Sequence, residues 1–178
     1  MVAPYDRSVL TSTLPASAVV GVLATITMDV WFVASSRLGG EALTSDKVGP
    51  DLVGRWAGGL ARGEWRHRDI AEAPAMKGEV AVGIATHYAT GVVLAYAYLA
   101  TLRRLGRRPG LASGTAYGVA TALLPLLIMY PSWGYGFCGR RSDDAARMAR
   151  VMLTGHAAYG AGIGLWSALL ARRERCRP

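Results

Sequence analysis

Apolar residues along the chain fall into four long blocks, residues 16–36, 80–102, 111–130 and 151–171, separated by polar stretches of unequal length. Each block is close to the roughly 20 residues that a helix needs to cross a bilayer core. None keeps the polar stripe of a water-facing helix, so a soluble helical bundle does not fit. The pattern predicts an all-α integral membrane four-helix bundle in one domain, residues 1–178, with spans at about 16–37, 79–102, 111–131 and 148–171. A secretory signal peptide competes for the first block. Its apolar run is longer than a usual signal core and contains Asp29, so it is read as the first span.

The connection between spans one and two, residues 38–78, is polar, yet Leu52, Val53, Trp56 and Leu60 repeat at i, i+1, i+4 and i+8 within it. That spacing predicts a short amphipathic helix over about 50–60, lying along the outer interface with tryptophans at headgroup level. Such a helix caps whatever lies below. Arg66, His67, Arg68 and Glu79 would then line an entrance. In the loop before span four, Tyr130, Trp133 and Tyr135 read as an interfacial aromatic belt. Asp143 and Asp144 read as caps that favour the N-terminal dipole of the last span.

Composition agrees, since 52% apolar with 18% charged is too apolar for an ordinary soluble domain. Charge sets orientation. Arg103, Arg104, Arg107 and Arg108 crowd the short link after span two, and Arg172, Arg173, Arg175 and Arg177 crowd the tail. The positive-inside bias puts both segments, and both termini, on the cytoplasmic side of a cell inner membrane. The net charge of +8 is then mostly topology. No folded basic face with interleaved aromatics is available, so nucleic acid is not an expected partner. Cys138 and Cys176 fall on opposite sides of the membrane and cannot pair.

Depth brings polar residues together. Asp29 lies eight residues from Arg37, the end of span one, or roughly 12 Å below the outer end at 1.5 Å per residue. His87 and His156 each lie nine residues along spans that run inward from Gly78 and Arg147. Three ionisable groups from three spans thus share one level. Pro125 in span three sits near it and frees the carbonyl of Thr121. "THYATG" and "GHAAYG" share His-x-Ala-x-Gly, and "GVLAT" echoes "GVAT", as expected of a parallel two-hairpin pseudo-repeat that sets His87 opposite His156. Gly83 and Gly91 flank His87 on one stripe, and Gly160 with Gly164 continue the stripe of His156. Small residues there serve close helix packing, or clear room for a flat cofactor beside the imidazoles.

Asp29, His87 and His156 suit three chemistries. They are a competent set for a divalent metal, the two histidines are a ligand pair for a b-type haem, and one imidazole oriented by Asp29 is an acid–base catalyst. Each fits an enzyme or redox protein acting on a lipophilic small molecule from the lipid bilayer. The alternatives are an accessory or scaffold subunit that packs on a membrane-protein partner or a second copy as homodimer, and a small transporter.

"DLVGRW", "RHRDI", "APAMKGE" running into "GIATHYATG", and "GHAAYG" resemble a family of small bacterial four-span membrane proteins classed only as a domain of unknown function. The resemblance covers about residues 16–171 and is most specific over 54–91. It implies a bacterial inner-membrane protein with four spans and brings no activity, substrate or cofactor.

Overall fold

A computed structural model describes residues 13–38 and 47–175; Cys176 and Arg177, invoked above, lie outside the described residues. All regular structure among the described residues is helical: α1 (Thr13–Leu38), α2 (Pro50–Ala61), α3 (Glu79–Leu105), α4 (Leu111–Thr121), α5 (Tyr130–Trp133) and α6 (Ala145–Arg175). Three stretches are long and apolar enough to cross a membrane: Leu14–Leu38, Glu79–Leu105, and Leu111–Trp133, the last running from α4 through α5. At 31 residues α6 is the longest helix, but Arg147, Arg150, His156 and five glycine and tyrosine positions from Gly155 to Gly164 dilute its apolar character.

Local chemistry sets the helix ends. Gly49 enters α2 in an extended conformation, Pro50 presets φ in the first turn, and Asp51 sits where the helix dipole favours an acid. Gly106 closes α3 at φ 61°, with its N–H bonded to Arg103 O while Arg107 N–H reaches Leu102 O, a Schellman pair. Asp144 Oδ1 accepts from Arg147 N–H at 3.0 Å and caps α6. Pro125 cannot continue the α4 hydrogen-bond ladder, and the chain makes one π-helical turn, Pro125–Met129, before α5.

The long helices pack in the order α4, α6, α1, α3, and glycines set most of the crossings. Gly21 faces Gly91 and Val92 across α1 and α3, while Gly114 and Gly118 face Gly160 and Gly164 across α4 and α6. Without side chains at these points the backbones come close enough for extensive van der Waals contact. Near the link from α3 to α4, Tyr98 Oη bonds Ser113 Oγ at 2.9 Å and Tyr117 donates to Leu94 O at 2.9 Å. One apolar core, with Val20, Ala24, Leu99, Tyr159 and Ile163, fills the middle of this array.

A second core lies at the α2 end, and it corrects two expectations. Tyr130 and Trp133 are fully buried and Tyr135 nearly so, where an interfacial belt was expected. Trp56 of α2 packs edge-on against Trp133, their ring centroids 6.5 Å apart, so it is half-buried against that core; Trp65 stays exposed. The cause is that α2 does not lie free on a surface. It docks on the first turns of α3 through Gly54 and Gly83. The following loop is tied to the α5 turn by His67 N–H to Ser132 O and Ile70 N–H to Trp133 O. That leaves the aromatics of the α5 turn covered.

Candidate functional site

Asp29, in the third quarter of α1, meets α3. Its Oδ1 lies 3.1 Å from His87 Nε2, and its Oδ2 accepts from Tyr88 Oη at 2.8 Å. The two aromatic rings stand edge to face, with centroids 5.7 Å apart. Neighbouring residues on a helix point about 100° apart, so His87 and Tyr88 reach the two carboxylate oxygens from different sides. A carboxylate only accepts, so Nε2 is the donor nitrogen toward Asp29, and in the neutral imidazole this leaves the lone pair on Nδ1. The cluster is not sealed, for the side chains of Asp29 and His87 remain 41% and 35% exposed.

His156 joins a different partner. Its Nδ1 lies 2.9 Å from Thr121 Oγ1, which also bonds the Gly118 carbonyl at 2.7 Å. The expected set of Asp29, His87 and His156 is therefore split in two, one pair between α1 and α3 and one between α4 and α6. No three histidine, cysteine, aspartate or glutamate side chains gather as metal ligands among the described residues.

The glycines are occupied as well. A Cβ on Gly83 would land on the Pro50 carbonyl, one on Gly91 would meet Thr25 Oγ1, and one on Gly160 would meet Gly114 O and Gly118. Space beside these residues is filled by neighbouring helices, so the flat cofactor expected there has no room.

Of the four residues expected at an entrance, Arg66 and Arg68 are exposed and the Arg66 guanidinium lies 5.5 Å from the Trp65 ring centroid. His67 is half-buried beneath them. Glu79 instead belongs to a clamp with Arg55 that sequence reasoning missed. Arg55 is buried, with side-chain exposures of 10% for Arg55 and 13% for Glu79. Its Nε and Nη2 grip both Glu79 oxygens at 3.0 and 2.8 Å, and Nη1 donates to Ile70, Ala71 and Ala73 carbonyls at 3.0 to 3.1 Å. The bonds to Glu79 hold the guanidinium above its ordinary pKa, so it stays charged. Glu79 also accepts from Met76 N–H at 2.8 Å. One ion pair thus fixes α2, the 70–76 loop and the start of α3.

Over residues 18–171 the chain matches the family described as Protein of unknown function (DUF2938). The chain belongs to that family. No curated protein and no solved structure matches it. The matched span holds every residue just described, from Asp29 to His156.

Along α1 an open groove of about 520 Å³ is lined by Ile26, Asp29, Val30, Val33, Ala34, Arg37 and Leu38, so that of the cluster it reaches Asp29. These fall at i, i+3, i+4, i+7, i+8, i+11 and i+12, one stripe of one helix. Its apolar members are exposed, Val30 at 61% and Val33 at 52%. In a helix apolar enough to cross a membrane, such a face meets lipid.

Proposed function

We propose that this chain is a four-span bacterial inner-membrane protein, with both termini cytoplasmic. Its Asp29–His87–Tyr88 cluster performs acid–base chemistry on a lipophilic compound drawn sideways from the bilayer. The observation that carries this reading is the 41% exposure of a carboxylate within the spanning part of α1. Placing such a group in mid-membrane costs about 3 kcal/mol on insertion scales. One that served only to fix helix register would face the packed interior and escape most of that cost.

The division of labour follows from the bonding. Asp29 accepts from His87 Nε2–H and fixes the tautomer, which leaves Nδ1 as the base that takes a proton from substrate and later returns it. Tyr88 holds the second carboxylate oxygen and keeps Asp29 from swinging out of register. A base positioned in this way typically contributes 10²–10⁴-fold in rate. His156 and Thr121 act as a spacer pair at the same depth. Cells carrying His87→Ala are expected to accumulate a lipid-soluble species that cells with the unmodified protein convert, read by mass spectrometry of solvent extracts. Identical extracts would contradict the reading.

The fourth span in this proposal is α6. Support comes from the matching crossings, Gly21 on Gly91 and Gly118 on Gly160, each with a threonine, Thr25 or Thr121, bonded back to a preceding carbonyl. Two parallel hairpins of this kind need an even number of spans. Reporter domains fused after Arg108 and after Arg173 are expected in the cytoplasm, and one after Gly139 outside it. A cytoplasmic reporter after Gly139 contradicts the four-span arrangement.

A further inference from the structure

We infer that the groove on α1 binds a single-chain anionic amphiphile, with its acidic head on Arg37 and its chain running past Asp29. This deepens the proposed function by naming the substrate class of the same site, and rests on that reading for what happens at Asp29.

Three observations lead there. First, the groove carries one cation and one anion, at defined places. Arg37 stands in the last turn of α1, eight residues from Asp29 and roughly 12 Å along the axis at 1.5 Å per residue. Five apolar side chains line the rest. A ligand that complements this stripe has a negative head, an apolar stretch about as long as that separation, and a reacting position beside Asp29, which holds His87. Second, the charges select orientation. An acidic head beside Asp29 meets a like charge, whereas at Arg37 it gains a charge-assisted bond at the end of a spanning helix, where headgroups lie. Third, the lining forms one open stripe on one helix. One chain lies along a single stripe, whereas the paired chains of a diacyl lipid need a wider face.

Other parts of the molecule carry less. The buried indole nitrogens of Trp56 and Trp133 lack hydrogen-bond partners, but the two rings pack against each other at the core beside the α5 turn. The arginines where α3 ends, Arg103 and Arg104, are accounted for by topology.

The test uses the full-length protein in nanodiscs with two photoreactive probes, each bearing a mid-chain diazirine: a hexadecyl sulfonate, and the uncharged hexadecanol. The sulfonate is expected to crosslink to α1 between Ile26 and Val33. Arg37→Gln should lower that labelling about fivefold, the factor a single arginine at the membrane surface carries. Val30→Trp, at a lipid-exposed position that tolerates bulk, should block the groove and abolish labelling while the protein stays folded. Equal labelling by the two probes, or sulfonate labelling unchanged by both substitutions, would overturn the inference. Labelling that follows Arg37 and Val30 in a protein whose His87→Ala variant leaves cell extracts unchanged would uphold the binding site and refute the acid–base reading. The two failures are therefore distinguishable.

Discussion

Arg55→Ala is expected to be among the most destabilising single substitutions in this protein, costing about 3–5 kcal/mol, the usual range when one member of a buried pair is removed. The variant leaves the Glu79 carboxylate buried without its cation and also strips Ile70, Ala71 and Ala73 of the donor their carbonyls share. Arg55→Lys rescues little, because an ammonium cannot grip both carboxylate oxygens and reach those three carbonyls together. Arg55→Met combined with Glu79→Leu should be milder than Arg55→Ala alone, since neither charge is then orphaned. Thermal unfolding in one detergent, read by intrinsic tryptophan fluorescence, orders the three variants. Trp56 and Trp133 lie in the core that the clamp closes. Equal midpoints for Arg55→Ala and the parent protein would show that the clamp contributes nothing.

Gly83→Ala is the second large effect. Its new Cβ would overlap the Pro50 carbonyl, and Gly54→Ala would overlap the Glu79 carbonyl, so each methyl meets backbone and not a side chain that can turn away. Overpacking usually costs about 1–3 kcal/mol, and with no rotamer to yield, α2 must lift off α3. Amide hydrogen exchange is the discriminating measurement. Protection is expected to fall throughout α2 and the 70–76 loop in both variants, with α6 unchanged. Unaltered protection in α2 would mean that the glycines serve something other than the helix crossing.

Much of this was legible in the sequence, and the parts that were not have physical reasons. Uninterrupted apolar blocks report helices directly, because a spanning helix satisfies its own backbone and needs no partner to exist. Depth arithmetic brought Asp29 and His87 to one level, and they are bonded. It could not fix azimuth. His156 sits on a side of α6 that turns it to Thr121, a residue noted only for its carbonyl, and Tyr88 was missed although it adjoins His87 in the chain. The signal for Tyr88 was available, since a carboxylate at mid-membrane has two oxygens to satisfy and one imidazole nitrogen serves only one of them.

The α2 end was harder to read. Leu52, Val53, Trp56 and Leu60 looked like a membrane-surface face, but the docking surface of α2 includes Gly54, Arg55 and Gly59, which a hydrophobic count scores as blank or polar. Once α2 docks there, Trp133 and Tyr130 become interior, and the aromatic belt expected from their types disappears. Glycine at a crossing and arginine in a fully bonded clamp are both invisible to hydropathy.

Asp29 and His87 are proposed to work on a lipid-soluble compound. The most direct measurement reconstitutes purified protein into liposomes made from total lipid extract of its host cells and follows the extract by mass spectrometry. The unmodified protein is expected to convert at least one component, with Asp29→Asn and His87→Ala slower by about 10²-fold or more, as for loss of a positioned base. Tyr88→Phe, which keeps the ring and loses only the bond to Asp29 Oδ2, should fall between. Conversion that proceeds at the parent rate in Asp29→Asn and His87→Ala, or no conversion by any form, would contradict it.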